Sequence, residues 1–149
     1  MIDLDTIHTM WAQDAILDEK ALDVSSAAGS KLHAKYLQLF NVARLFLRKR
    51  EGQLSKLKKD KWRYFTGKML APEMEDLGWD YDPFGGLSKP LKGDLHYYID
   101  ADDDVIALDL KVHYSKILVE TIEEILGNLR WRSTAIKNMI EWHKFQSGC

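Results

Sequence analysis

The sequence predicts a mainly α-helical protein: one long helix in an antiparallel hairpin, followed by C-terminal helices, with room for a small amount of strand. Three observations predict this. From Lys31 to about Thr66 there is no proline and one glycine. Over that span Leu32, Tyr36, Leu39, Ala43, Phe46, Leu54, Leu57 and Tyr64 recur in steps of three, four and seven, which mark one helix face with a near-heptad seam. A second periodic run, Leu110, Tyr114, Ile117, Leu118, Thr121, Ile122, Ile125 and Leu129, marks another apolar face.

The 149 residues suit one domain, 1–149, with a modest core. Hydrophobic content of 46% and charged content of 30% fit a globular chain, and 11% aromatic residues exclude wholesale disorder. The lone cysteine, Cys149, permits neither an internal disulfide nor a cysteine zinc site, in keeping with a reducing, cytoplasmic setting. The acidic N-terminal stretch has no apolar run, so no signal peptide is expected. No stretch approaches the roughly 18 apolar residues that cross a bilayer, so no membrane partner is expected.

Taken in order, residues 3–14 have the spacing of a short amphipathic helix, and Ser25, Ser26, Gly29 and Ser30 read as a connection, with Ser30 as N-cap of the long helix. That helix, within 31–68, has Gly67 as its C-terminal stop. At about 35 residues it is too long for a chain this small to bury alone, which implies an antiparallel partner or an oligomer. Residues 70–94 form an irregular loop, acidic in its first half, in which Pro83-Phe84-Gly85-Gly86 signals a turn. Leu95–Ile99 has the pattern of a short strand, and 105–112 also alternates. Asp100, Asp102, Asp103 and Asp104 read as a helix N-terminus stabilised against the macrodipole; a metal site is the weaker alternative, because the spacing fits no EF-hand. C-terminal helices fill 99–149. Gly127 and Asn128 interrupt them, and Ser133 caps a last helix over 134–147. Trp131, Trp142 and Phe145 there either anchor an interface or complete the monomer core.

The charge is uneven. Residues 44–68 hold ten Lys and Arg against Glu51 and Asp60, a local charge of about +8 in a chain of net −2. Arg44, Arg48, Ser55, Lys59 and Arg63 share a face, so the charge forms a stripe, whereas Arg50 and Lys61 fall near the apolar seam and should weaken packing there. Trp62, Tyr64 and Phe65 interleave with Lys61 and Arg63. Cations beside flat rings suit single-stranded nucleic acid, since ammonium groups track phosphates and rings stack on bases. A solvated helix face with a few core aromatics accounts for the same residues, and two of the three rings should face the core. No reason to propose an enzyme emerges: His8, His33, His96, His113 and His143 are scattered, no HExxH, GxSxG or phosphate loop occurs, and Cys149 is a poor nucleophile candidate. No catalytic residue, metal or cofactor is expected.

Two segments together resemble a known family. Tyr64-Phe65-Thr66-Gly67-Lys68, after the Lys56–Lys61 run, resembles the aromatic–aromatic–Ser/Thr–Gly–basic ending of the long helix in the UvsY family, the recombination mediator proteins of T-even-type bacteriophages. Arg132, Ala135, Ile136, Lys137, Phe145 and Gly148 are similar to that family's closing pattern at the same spacings. The resemblance covers roughly 30–68 and 99–149; the first 25 residues and the loop 70–94 depart from it, and nothing carries over onto them.

The resemblance implies a non-enzymatic assembly factor in the cytoplasm of an infected bacterial host. It would bind single-stranded DNA, a phage single-strand-binding protein and a phage RecA-like recombinase, and help load the recombinase onto covered DNA. It also implies a ring-like homo-oligomer of about six or seven subunits. On this sequence the DNA contacts would fall on Lys58, Lys59, Lys61 and Arg63, with Lys56 and Lys68 adjoining and Trp62 and Tyr64 as the rings beside them. Self-association would fall on the C-terminal helices, at Ile125, Leu129, Ile136, Met139, Ile140 and Phe145. The competing reading is a helical structural or adaptor protein whose basic stripe binds an acidic protein partner.

Overall fold

The computed structural model describes residues 1–148. Its elements are α1 (Leu4–Asp14), α2 (Leu22–Phe65), α3 (Ala71–Leu77), a 3₁₀ turn (Lys92–Asp94), α4 (Leu95–Asp100) and α5 (Asp103–Gln146). Among the described residues the regular structure is all helical. Contacts divide the chain into two compact units, to each of which α2 and α5 contribute.

The first unit comprises, among the described residues, 1–47 and 115–148. Its core is Ile7, Tyr36, Ala43, Leu118, Ile122, Ile125, Leu126 and Leu129, with Leu32, Leu39 and Phe40 packed against it. Of the α2 residues here, Leu32, Tyr36, Leu39 and Ala43 belong to the expected seam, and Phe40 is an addition to it. Asp3 caps α1 by accepting from the Thr6 N–H at 2.7 Å. At the other end of α1, Asp14 Oδ2 accepts from Lys35 Nζ at 2.7 Å and from the Tyr36 hydroxyl at 2.8 Å. Burial alone would raise the Asp14 pKa, but these two hydrogen bonds and the Lys35 charge outweigh it and hold the carboxyl below its ordinary value. Tyr36 is pushed up, first by burial and then by Asp14, so it stays a neutral donor. Trp11 meets the Tyr36 ring edge-on at 5.6 Å.

Helix α2 begins at Leu22, not after Ser30. The Gly/Ser stretch is held helical by tertiary contacts: Ser25 is buried, its hydroxyl accepts from the Asp18 N–H at 3.2 Å, and its carbonyl accepts from Arg132 Nη2 at 3.4 Å. Packing thereby overrides the weak local propensity of Ser25, Ser26 and Gly29. Helix α5 likewise runs unbroken through Gly127, Asn128 and Ser133. A mid-helix glycine costs about 1 kcal/mol relative to alanine. Burial of Ile125, Leu126 and Leu129 on either side offsets that, and Asn128 donates back to the Glu124 carbonyl at 3.1 Å without breaking the helix.

The second unit spans Arg48–Tyr114. Here α2 and α5 run antiparallel: Arg50 Nη1 donates to the Lys111 carbonyl at 3.0 Å, while Lys61, eleven residues further along α2, meets Asp104 on α5. Gly67, at φ +72°, closes α2 in a left-handed turn, with Lys68 N–H donating to the Arg63 carbonyl at 2.8 Å and Gly67 N–H to that of Tyr64 at 3.2 Å. The loop is more ordered than its composition suggests. It opens with α3, and Asp82 fastens the Pro83–Gly86 turn by accepting from the N–H groups of Phe84 (2.9 Å) and Gly86 (2.6 Å). Residues 95–99 are helical, not a strand, because Leu95 and Ile99, four apart, both pack on the second core of Tyr64, Phe65, Met69 and Met74. The buried face at the start of α5 is also rotated from the expected one. Val105, Val112 and Ser115 are buried, while Leu110 is 70% exposed.

Candidate nucleic-acid interface

The basic end of α2 sorts its cations by helical phase. Lys61 lies four residues after Leu57 and three before Tyr64, on the core side. It is only 3% exposed, and its ammonium sits 3.0 Å from both Asp102 Oδ2 and Asp104 Oδ2 and 3.8 Å above the centre of the Trp79 ring. The acidic run 100–104 is thereby explained: Asp102 Oδ1 caps α5 by accepting from the N–H groups of Asp104 (3.0 Å) and Val105 (3.2 Å), while its other oxygen takes Lys61. Lys61 falls on the apolar seam as expected and is accommodated there by two carboxylates and a ring face that replace its water shell.

Its neighbours stand differently. Lys56 and Lys59 are exposed, and no carboxylate among the described residues pairs with them. Lys58 is half-exposed, with Asp100 at 3.7 Å. Arg63 pairs with Glu73 through one nitrogen, Nη2, which donates to Oε2 at 2.9 Å and Oε1 at 3.2 Å. Of the rings, Tyr64 and Phe65 are buried and Trp62 is 42% exposed. The Tyr64 hydroxyl donates to the Asp80 carbonyl at 2.5 Å. Burial, then the charges of Asp80, Asp82 and Asp102, raise its pKa. Lys68 Nζ lies 4.4 Å over the Trp62 ring. Of the residues expected at DNA, the structure therefore brings Lys56, Lys58, Lys59, Trp62 and Lys68 to the surface. It turns Lys61 and Tyr64 inward and engages Arg63 with Glu73.

Sequence reasoning missed two further cations. Lys89 and Lys92, from the second half of the loop, join Lys68 around a cleft of about 360 Å³ walled by Trp62, Phe65 and Leu95. Lys89 Nζ also donates to the Thr66 carbonyl at the end of α2, at 3.1 Å. The switch from acidic to basic residues within 70–94 was the available signal.

The residues expected in self-association also divide. Ile125, Leu129 and Ile136 are buried within the single chain and Met139 is half-buried. Ile140 (39% exposed) and Phe145 (73%) face outward, as do Trp131 (72%) and Trp142 (57%), and the Trp142 and Phe145 rings stack at 5.6 Å. Among the described residues no group of three or more His, Cys, Asp or Glu is placed to hold a metal. Cys149 lies outside the described residues. Among the described residues no helix is long and apolar enough to cross a membrane.

Fold and surface together define a helical protein with exposed lysines gathered along one segment of a long helix. The family model described as the recombination, repair and ssDNA binding protein UvsY matches residues 10–149, and the chain belongs to the UvsY family. A curated relative, the recombination protein uvsY of Enterobacteria phage T4, is 22% identical over 145 residues, covering 97% of this chain and 98% of the relative. A crystal structure of the bacteriophage T4 recombination mediator protein UvsY matches with a TM-score of 0.79 at 19% identity, over 99% of each chain. Another crystal form matches with a TM-score of 0.77 at 22% identity, over 93% of this chain and 97% of that one. These structural likenesses establish the fold.

The burial of Lys61 sets it apart from its neighbours in a way that unfolding experiments can read. Lys61→Met strands Asp102 and Asp104. It should cost about 3 kcal/mol, at the low end for one-sided removal of a buried pair because the exposed Asp104 can turn to water. Lys59→Met should stay within about 0.5 kcal/mol of the parent. Urea melts of the two variants check this; equal stability would contradict the buried clamp.

Proposed function

We propose that this protein is a single-stranded-DNA-binding recombination mediator that helps load a RecA-like recombinase onto DNA covered by single-strand-binding protein. The observation that carries the reading is the lysine row on α2, Lys56, Lys58 and Lys59, continued by Trp62 and Lys68, in a chain of the UvsY family. Exposed ammonium groups bind phosphate without reading sequence, as a mediator that must act anywhere on a strand requires. The acidic remainder of the chain keeps this binding local, since net charge alone gives no general affinity for polyanions.

In this reading the protein works as a ring-like homo-oligomer in the cytoplasm of a phage-infected bacterium, with the recombinase and the single-strand-binding protein as partners. Each lysine row is short, and several copies on one assembly raise avidity through effective concentration. Ile140, Trp142 and Phe145, near the end of α5, supply exposed apolar and aromatic surface of the kind that anchors subunit contacts. Ile125, Leu129 and Ile136 are buried within the single chain and are not part of that exposed surface.

DNA binding is tested by fluorescence anisotropy of labelled oligo-dT over roughly 50 to 300 mM salt. Replacing Lys56, Lys58 and Lys59 together by alanine should flatten the log–log salt slope by about 2 per bound subunit, since each single-strand phosphate contact contributes roughly 0.7. Absence of binding at low salt would overturn the reading and favour an acidic protein partner for the lysines. For assembly, Trp142→Asp combined with Phe145→Asp should give folded monomers or dimers in light scattering. A parent protein that is monomeric at micromolar concentration would exclude the ring.

A further inference from the structure

We propose that the cleft beside Trp62 is a single-nucleotide subsite, in which one unstacked base of a DNA strand lies against the indole and its phosphate is held by Lys68 and Lys92. This rests on the DNA-binding reading above and adds to it a place where the strand is gripped by a base as well as by its backbone.

Four observations converge on it. The cleft measures about 360 Å³, within the lower range of small-molecule sites, roughly 300 to 1,000 Å³. Its walls are flat and apolar where Trp62, Phe65 and Leu95 line it, and its charged rim is wholly lysine: Lys68, Lys89 and Lys92 line it and no acidic side chain does. In a chain whose acids outnumber its Lys and Arg by 23 to 21, such a rim selects an anion. Trp62 follows Lys58 by four residues and Lys59 by three, so it lies on the same side of α2, and a strand tracked by those lysines arrives at the cleft.

The helix end would otherwise work against an anion. The last carbonyls of α2 carry partial negative charge. Lys89 donates to the Thr66 carbonyl and neutralises it locally, leaving Lys68 and Lys92 for the ligand. In the free protein the Lys68 ammonium covers the Trp62 ring at 4.4 Å. A base that stacks on the indole displaces that ammonium toward the base's own phosphate, so one movement exchanges a cation–π contact for a stacked base and a phosphate contact. A flat ring joined to an anion matches this pairing of surfaces, and a nucleotide supplies both.

The experiment compares anisotropy of oligo-dT with that of an equally long oligomer of abasic sites, for the parent, Trp62→Leu, Trp62→Phe and Lys92→Gln proteins. The parent should bind oligo-dT about fivefold to a hundredfold more tightly than the abasic strand, the range expected for base–aromatic stacking. Trp62→Leu should remove that preference, and Trp62→Phe should keep most of it. Lys92→Gln should flatten the salt slope by about 0.7 on both strands. Equal affinity of the parent for the two strands, or a preference that survives Trp62→Leu, would overturn the subsite and leave DNA binding by the lysine row standing. Failure of the parent to bind either strand would overturn both.

Discussion

The end of α2 is organised by one ammonium group. Lys61 reaches the first turn of α5 through Asp102 and Asp104 and the loop after α3 through Trp79. A buried ion pair is a weak source of net stability against an apolar isostere but costly to break on one side. Its contribution here is register. With Asp102 capping α5 and pairing with Lys61 at once, the start of α5 is fixed opposite one position of α2, and the aromatic cluster is built in that frame. Tyr64 lies 5.1 Å from Trp79 and 5.4 Å from Phe65, and Phe65 lies 5.8 Å from Phe84. Trp62, on the same helix, stays half-exposed at the edge of this cluster, where it shares a cleft with Phe65 and Leu95, and the lysines one turn before it share its side.

The sorting follows from helical geometry. A helix with a lysine at nearly every second position presents some of them to its own core. Lys61 is accommodated because two carboxylates from another element arrive to meet it. Among the described residues Lys56 and Lys59 meet no carboxylate, and they remain available to a polyanion. A stretch that looks uniformly basic in sequence is therefore two different things in three dimensions.

Much of the helical skeleton was legible in the sequence, because proline-free runs with a clean apolar period leave few other options. Gly67 announced the end of α2, and Tyr36, Ala43 and Tyr64 announced its buried face. The errors arose where local signals are weak and tertiary contacts strong: Ser25 recruited into α2 by Arg132, Gly127 carried through α5 by its buried neighbours, and Leu95 and Ile99 taken for a strand when their spacing served a helix face. At the site, the basic and aromatic residue types were visible, but which cations stay outside was not, because the carboxylates that engage Lys61 and Arg63 come from other elements. Lys89 and Lys92 escaped notice because they belong to a loop whose contacts only the folded chain reveals.

Lysine-specific acylation followed by mass spectrometry, with and without oligo-dT, tests the central claim most directly. Lys61 should resist modification in both states. Lys56, Lys58, Lys59, Lys68 and Lys92 should react in the free protein and be protected by DNA. Rapid modification of Lys61 in the folded protein, or protection that bypasses the α2 lysines, would contradict the account.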